Sequence, residues 1–197
     1  MIKKHLHFSA LISLSMLSTA SFATQAADRD GLYAFGGIGA TVPNGALSYE
    51  GKSFERSDMV TSLQAGAGYR WNRHLAMEVE AHSTLGKADL QGLGKVGSYG
   101  ARAGVAGILP LGDRFELVGK VSLGNERSRW TEGSLKPYRV TLNQWNLGLG
   151  MGARYWFNDA TALRLDLEGL SHGSYRAGPS RGELDIGSVT LGLQHRF

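Results

Sequence analysis

The sequence predicts an all-β protein: an eight-stranded antiparallel up-and-down transmembrane β-barrel. Three observations predict it. Apolar and polar residues alternate with period two in segment after segment, the signature of strands. The connections between those segments are alternately short and long. The charges sit on the polar face at mid-strand, while aromatic residues bracket the apolar face at both ends.

Taken in order, strands are expected at about 31–42, 58–71, 75–85, 98–109, 114–124, 140–157, 161–170 and 184–197. In TSLQAGAGYRW, Thr61, Leu63, Ala65, Ala67, Tyr69 and Trp71 share one face, and Ser62, Gln64, Gly66, Gly68 and Arg70 the other. In LAMEVEAHS, Leu75, Met77, Val79 and Ala81 oppose Ala76, Glu78, Glu80 and His82. In FELVGKVSL, Phe115, Leu117, Val121 and Leu123 oppose Glu116, Lys120 and Ser122. WNLGLGMGARYWF sets Trp145, Leu147, Leu149, Met151, Ala153, Tyr155 and Phe157 against Asn146, three glycines, Arg154 and Trp156. ALRLDLE alternates Leu163, Leu165 and Leu167 with Arg164, Asp166 and Glu168, and the closing VTLGLQHRF follows suit. Short turns fall at 72–74, 110–113 and 158–160, and long loops at about 43–57, 86–97, 125–139 and 171–183. Trp71-Asn72 before AMEVEAH resembles Phe157-Asn158 before ALRLDLE, a repeated hairpin.

Bulk properties narrow the function. A length of 197 residues suits one domain. The net charge of +4 is too small to argue for nucleic acid as a partner. With no cysteine, neither a disulfide framework nor a thiolate metal site can be built. The histidines form no ligand constellation, so neither a metal nor another cofactor is expected. The opening MIKKHLHFSALISLSMLSTASFATQAAD has a basic start, an apolar middle and small residues after it. That is the layout of a secretory signal peptide over 1–26, cut after Ala23 or Ala26, with the barrel domain at 27–197.

Ten charges fall on the polar strand faces: Arg70, Glu78, Glu80, Arg102, Glu116, Lys120, Arg154, Arg164, Asp166 and Glu168. A sheet crosses lipid only when closed, because an open edge leaves backbone groups unsatisfied at several kcal/mol each. Closure of eight strands puts these charges in an interior just wide enough for side chains to fill. They are expected to pair and plug the lumen. The alternative makes Glu78, Glu80, Arg164 and Asp166 the lining of a narrow, porin-like conduit for ions or small solutes.

The stretches LYAFGGIGA at 32–40, FELVGKVSLG at 115–124, RYWFNDATALRLDLE at 154–168 and the closing LGLQHRF carry a resemblance to the transmembrane domain of the OmpA family and its small eight-stranded relatives. The resemblance implies a Gram-negative outer-membrane location with both termini periplasmic, and contact with outer-membrane lipids and lipopolysaccharide. It also implies that Leu193, His195 and Phe197 form the C-terminal signal read by the barrel-assembly machinery, with His195 where an aromatic is common.

Two loop clusters carry candidate chemistry. His172, Ser174 and Glu183 could make a base, nucleophile and orienting acid. Their placement is similar to that in PagL-like lipid A deacylases, but Tyr175 stands where that family has Asn. A solvated loop is the default, so no enzymatic activity is expected. In NERSRWTEGSLKPYR, the cations Arg127, Arg129, Lys136 and Arg139 lie among Trp130 and Tyr138. They suit lipopolysaccharide phosphates or acidic polymers on a host or neighbouring cell. The expected role is thus structural or adhesion-like, exerted through the outer loops.

Overall fold

The computed structural model describes residues 29–49, 52–57, 59–90, 94–131, 139–171, 175–177 and 180–197. The expected signal peptide lies outside them. Among the described residues eleven strand segments run in chain order: β1 (Gly31–Tyr49), β2 (Lys52–Ser57), β3 (Val60–Asn72), β4 (Leu75–Thr84), β5 (Ala88–Leu90), β6 (Gly94–Pro110), β7 (Phe115–Thr131), β8 (Arg139–Trp156), β9 (Thr161–Ser171), β10 (Tyr175–Ala177) and β11 (Ser180–Arg196). Eight of them, β1, β3, β4, β6, β7, β8, β9 and β11, form the wall, each antiparallel to the next. The first and last pair from Tyr33↔Arg196 to Ser48↔Arg181, which closes the cylinder. The short β2, β5 and β10 pair with β1, β6 and β11 and extend three of the long hairpins.

The short turns are fixed by local chemistry. The Asn72 side-chain oxygen accepts from the His74 amide at 2.8 Å. Asn158 does the same for Ala160 and Thr161, at 2.9 and 2.8 Å. The repeated aromatic-Asn pair is therefore a repeated Asx turn. At the third turn Gly112 takes φ +90°, a conformation that L side chains resist.

Several strands run further than the alternation indicates. β7 continues to Thr131, and β8 begins at Arg139, paired with that same Thr131. Arg127, Arg129 and Arg139 are thus strand residues and not loop residues. Beyond the apolar belt both faces of a strand are polar. The ladder of backbone hydrogen bonds continues there, but the contrast that reveals a strand in sequence does not.

Side chains divide by parity. Leu63, Met77, Val121, Leu149, Leu165 and Leu191 stand on the exposed outer wall. At the short-turn end this wall carries stacked neighbours at i and i+2. Tyr69–Trp71, Tyr155–Phe157 and His195–Phe197 each meet edge to face, with ring centroids 6.4, 5.7 and 5.4 Å apart. Trp145 stands exposed toward the other end. Among the described residues the interior is mostly polar, with an apolar cluster of Tyr33, Phe35, Ala76, Ala106, Ile108 and Val118 and, apart from it, buried Val60, Trp156 and Ala162.

Candidate functional site: the charged lumen and the loop end

All ten charged side chains assigned to the interior are buried, none more than 8% exposed. They come from six strands, because each inward position of an eight-stranded barrel faces the axis a few ångströms from the opposite wall.

Glu78 of β4 sits at the centre. It accepts from Arg164 Nη1 and Nη2 at 2.8 and 2.7 Å, from Arg154 Nη2 at 2.7 Å and from the Tyr33 hydroxyl at 2.8 Å. Arg164 also donates through Nε to Asp166 at 2.5 Å, and its guanidinium lies 3.9 Å from the Phe35 ring centroid. The second tier is built on Glu80, which takes Lys120 Nζ and Gln64 Nε2 at 2.8 and 2.7 Å and pairs with Arg102. Arg102 and Lys120 also pair with Glu168, Arg102 at 2.5 Å. Lys120 lies 3.8 Å from Glu78 and so joins the tiers. Four cations therefore face four carboxylates in one connected network, and the charges balance. Such balance is what makes burial tolerable, since an unpaired ion in a poorly hydrated interior costs several kcal/mol.

Below the network, toward the short turns, Arg70 donates to Glu116 at 2.9 Å. Its Nε and Nη2 hold the carbonyls of Asn72 and Arg73 at 3.1 and 2.7 Å, which ties the turn to the lumen. Arg29, from just before β1, enters the same end. It lies 3.7 Å from Glu116 and 4.6 Å over the Trp156 ring, and donates to the Asp113 carbonyl at 2.5 Å. Above the network, Glu126 accepts from Asn146 at 3.3 Å and stands 3.9 Å from His82 Nε2. A cavity of about 20 Å³ lies there, lined in part by Thr41, Ser62, Ser98, Ser188 and Thr190. That is room for about one water.

Arg29 and Glu126 were not among the residues read as interior. Glu126 falls past position 124, where the alternation fades, and Arg29 precedes the first apolar residue. No sequence signal marks either.

The loop clusters are not assembled among the described residues. His172, Ser174 and Lys136 lie outside them. Glu183 is on β11, opposite Ala46 of β1. Arg127 is exposed on β7, and Arg129 and Arg139 sit in the β7–β8 ladder opposite Thr141 and Thr131. No group of three potential ligands for a metal ion occurs among the described residues. Leu193, His195 and Phe197 all stand on the outer face, with Phe197 76% exposed.

Comparison with known proteins agrees with this architecture. A family model described as "Outer membrane protein beta-barrel domain" matches residues 9–197. No curated protein matches the chain significantly. Among solved structures the chain is similar to Neisserial surface protein A (NspA), at 16% identity and TM-score 0.61, over 87% of this chain and 99% of that one. It is also similar to the outer membrane protein AlkL, studied in lipid bilayers, at 15% identity and TM-score 0.58, over 92% and 97% of the two chains. A third similarity is to OprG from Pseudomonas aeruginosa, at 13% identity and TM-score 0.55, over 88% and 99%. At these identities the likeness shows the fold. The family match is to this wider group of barrels and not to the OmpA type in particular. The chain belongs to the outer membrane protein beta-barrel domain family and crosses the outer membrane of a Gram-negative cell as a closed eight-stranded barrel with a buried salt-bridge network.

Proposed function

We propose that this protein is a surface-interaction barrel: its lumen is a sealed structural core, and its long-loop end binds anionic polymers or lipopolysaccharide phosphates. In this reading both termini are periplasmic, as in OmpA-type barrels, and the long hairpins project from the cell. The observation that carries it is the charge-balanced network joining Glu78, Glu80, Glu168 and Asp166 to Arg102, Lys120, Arg154 and Arg164. A lumen filled by paired side chains offers no route for solutes, which leaves the loop end to meet other molecules. Arg127, Arg129, Lys136 and Arg139 supply the cations there.

Two measurements test the reading. In planar bilayers the reconstituted protein is expected to give no single-channel steps; regular steps would favour the conduit instead. A variant with Arg127, Arg129, Lys136 and Arg139 all changed to Glu is expected to lose affinity for lipopolysaccharide and for a sulfated polysaccharide. Each cation near an anionic surface contributes about 1 kcal/mol. The loss should therefore reach about two to three orders of magnitude. Unchanged binding would remove these four cations from the mechanism.

A further inference from the structure

The outer wall is not evenly covered. The register places Gly107 of β6 opposite Gly119 of β7, and both stand on the outer face. Across that row the next residues are Leu75 on one side and Met151 on the other. The row nearer the short turns runs Leu109, Leu117, Ala153 and Leu165. Two adjacent glycines and an alanine thus form a floor between protruding Leu109, Leu117, Met151, Leu165 and Leu167. The result is a bent, open groove of about 650 Å³, within the roughly 300–1,000 Å³ of small-molecule sites.

Its lining is apolar apart from one side chain at the end, His74 of the β3–β4 turn. The His74 ring is oriented through Nδ1, which lies 3.2 Å from the Ile108 carbonyl oxygen. A carbonyl only accepts, so Nδ1 donates there; a phosphate oxygen also only accepts, so His74 meets it as the imidazolium, donating through Nε2–H. The groove ends at the level of the short turns, which the aromatic pairs mark as the interface between bilayer and water.

We infer that this groove is a docking site for a glycerophospholipid of the surrounding leaflet: one acyl chain lies over Gly107, Gly119 and Ala153, and its phosphate meets His74. The groove is continuous with the lipid-facing belt, so acyl chains are the molecules that already bathe it. Its bend follows from floor residues in two neighbouring rows, and a flexible chain follows a bend. A second barrel presents a convex wall and meets another along a narrow line.

The test compares the parent with Gly119→Leu and with Ala153→Phe, which fill the groove from the two rows of its floor. A Cβ at Gly119 meets nothing within 4 Å, so the first change fits the folded wall. Each protein is reconstituted into nanodiscs of phosphatidylethanolamine and phosphatidylglycerol, released in mild detergent, and weighed by native mass spectrometry. Heat-modifiable gel mobility reports the folded barrel in each case. The parent is expected to retain one phospholipid. Both variants should stay folded and retain at least tenfold less. His74→Ala should lower retention less than the groove-filling changes do. Equal retention in parent and folded variants overturns the proposal, as does a parent that carries no lipid. A parent that runs as a dimer, and as a monomer once the groove is filled, assigns the groove to a second copy and overturns it too.

Discussion

Arg164 and Glu78 meet across the lumen as a two-pronged pair, with Nη1 2.8 Å from Oε1 and Nη2 2.7 Å from Oε2, from positions 86 residues apart in sequence. The planar guanidinium matches the carboxylate edge, and both charges are ordered by the fit. Because Arg154 shares the same carboxylate, Glu78 pairs with two cations at once.

Glu78→Gln is therefore expected to destabilise the barrel by about 3–5 kcal/mol, the cost of leaving buried partners uncompensated. Replacing the whole unit together, Glu78→Met with Arg154→Met, Arg164→Leu and Asp166→Asn, should cost less than the single change, since the Asp166 carboxylate that Arg164 holds is removed with it and no ion is then stranded. Urea unfolding in lipid vesicles reads both. A single variant milder than the fourfold one would show that the charges are not held as a unit.

Tyr33 and Gly68 oppose each other on β1 and β3. A Cβ at position 68 would overlap the Tyr33 ring, and that ring cannot swing away freely because its hydroxyl holds Glu78 at 2.8 Å. Gly68→Ala should cost about 1–3 kcal/mol through overpacking. In a Tyr33→Leu background the same change should cost far less, giving a coupling energy measurable by a double-mutant cycle. Equal costs in both backgrounds would show that the ring does not need the glycine.

Legibility in the sequence followed hydrophobic contrast. Where one face meets lipid and the other meets charge, as in Leu163-Arg164-Leu165-Asp166, every side chain could be assigned to its face. The interior charges could be named because ions on an otherwise greasy strand have one place to go. Their pairing could not: that Lys120 bridges Glu80 and Glu168 depends on strand tilt and register, which the alternation leaves open. Past the belt the contrast vanished, which hid the reach of β7 and the burial of Glu126. The lipid-facing groove escaped as well, because two glycines on strands β6 and β7 become neighbours only through register.

Ser174→Ala bears on the candidate triad. With the function placed in the cations of the β7–β8 hairpin, the substitution is expected to leave lipid A acylation unchanged in expressing cells, as read by mass spectrometry of extracted lipid A. A shift in acylation pattern between parent and variant would make Ser174 a nucleophile and the protein a hydrolase.

Phe197 separates assembly from stability. Its backbone amide donates to the Leu32 carbonyl at 3.1 Å, so the last residue helps close the β1–β11 seam. Its ring instead lies exposed on the outer wall, edge-on to His195. Phe197→Ala keeps the seam bond and removes only the ring. If the ring serves as the recognition element for the barrel-assembly machinery, the folded fraction in cell envelopes should fall several-fold. Stability of the barrel refolded into vesicles should drop by no more than about 1.5 kcal/mol, the size of an edge-to-face aromatic contact. A parallel loss in both assays would place the ring in the fold and not in recognition. Deleting Phe197 takes the seam bond as well, and should impair refolding in vesicles where Phe197→Ala does not.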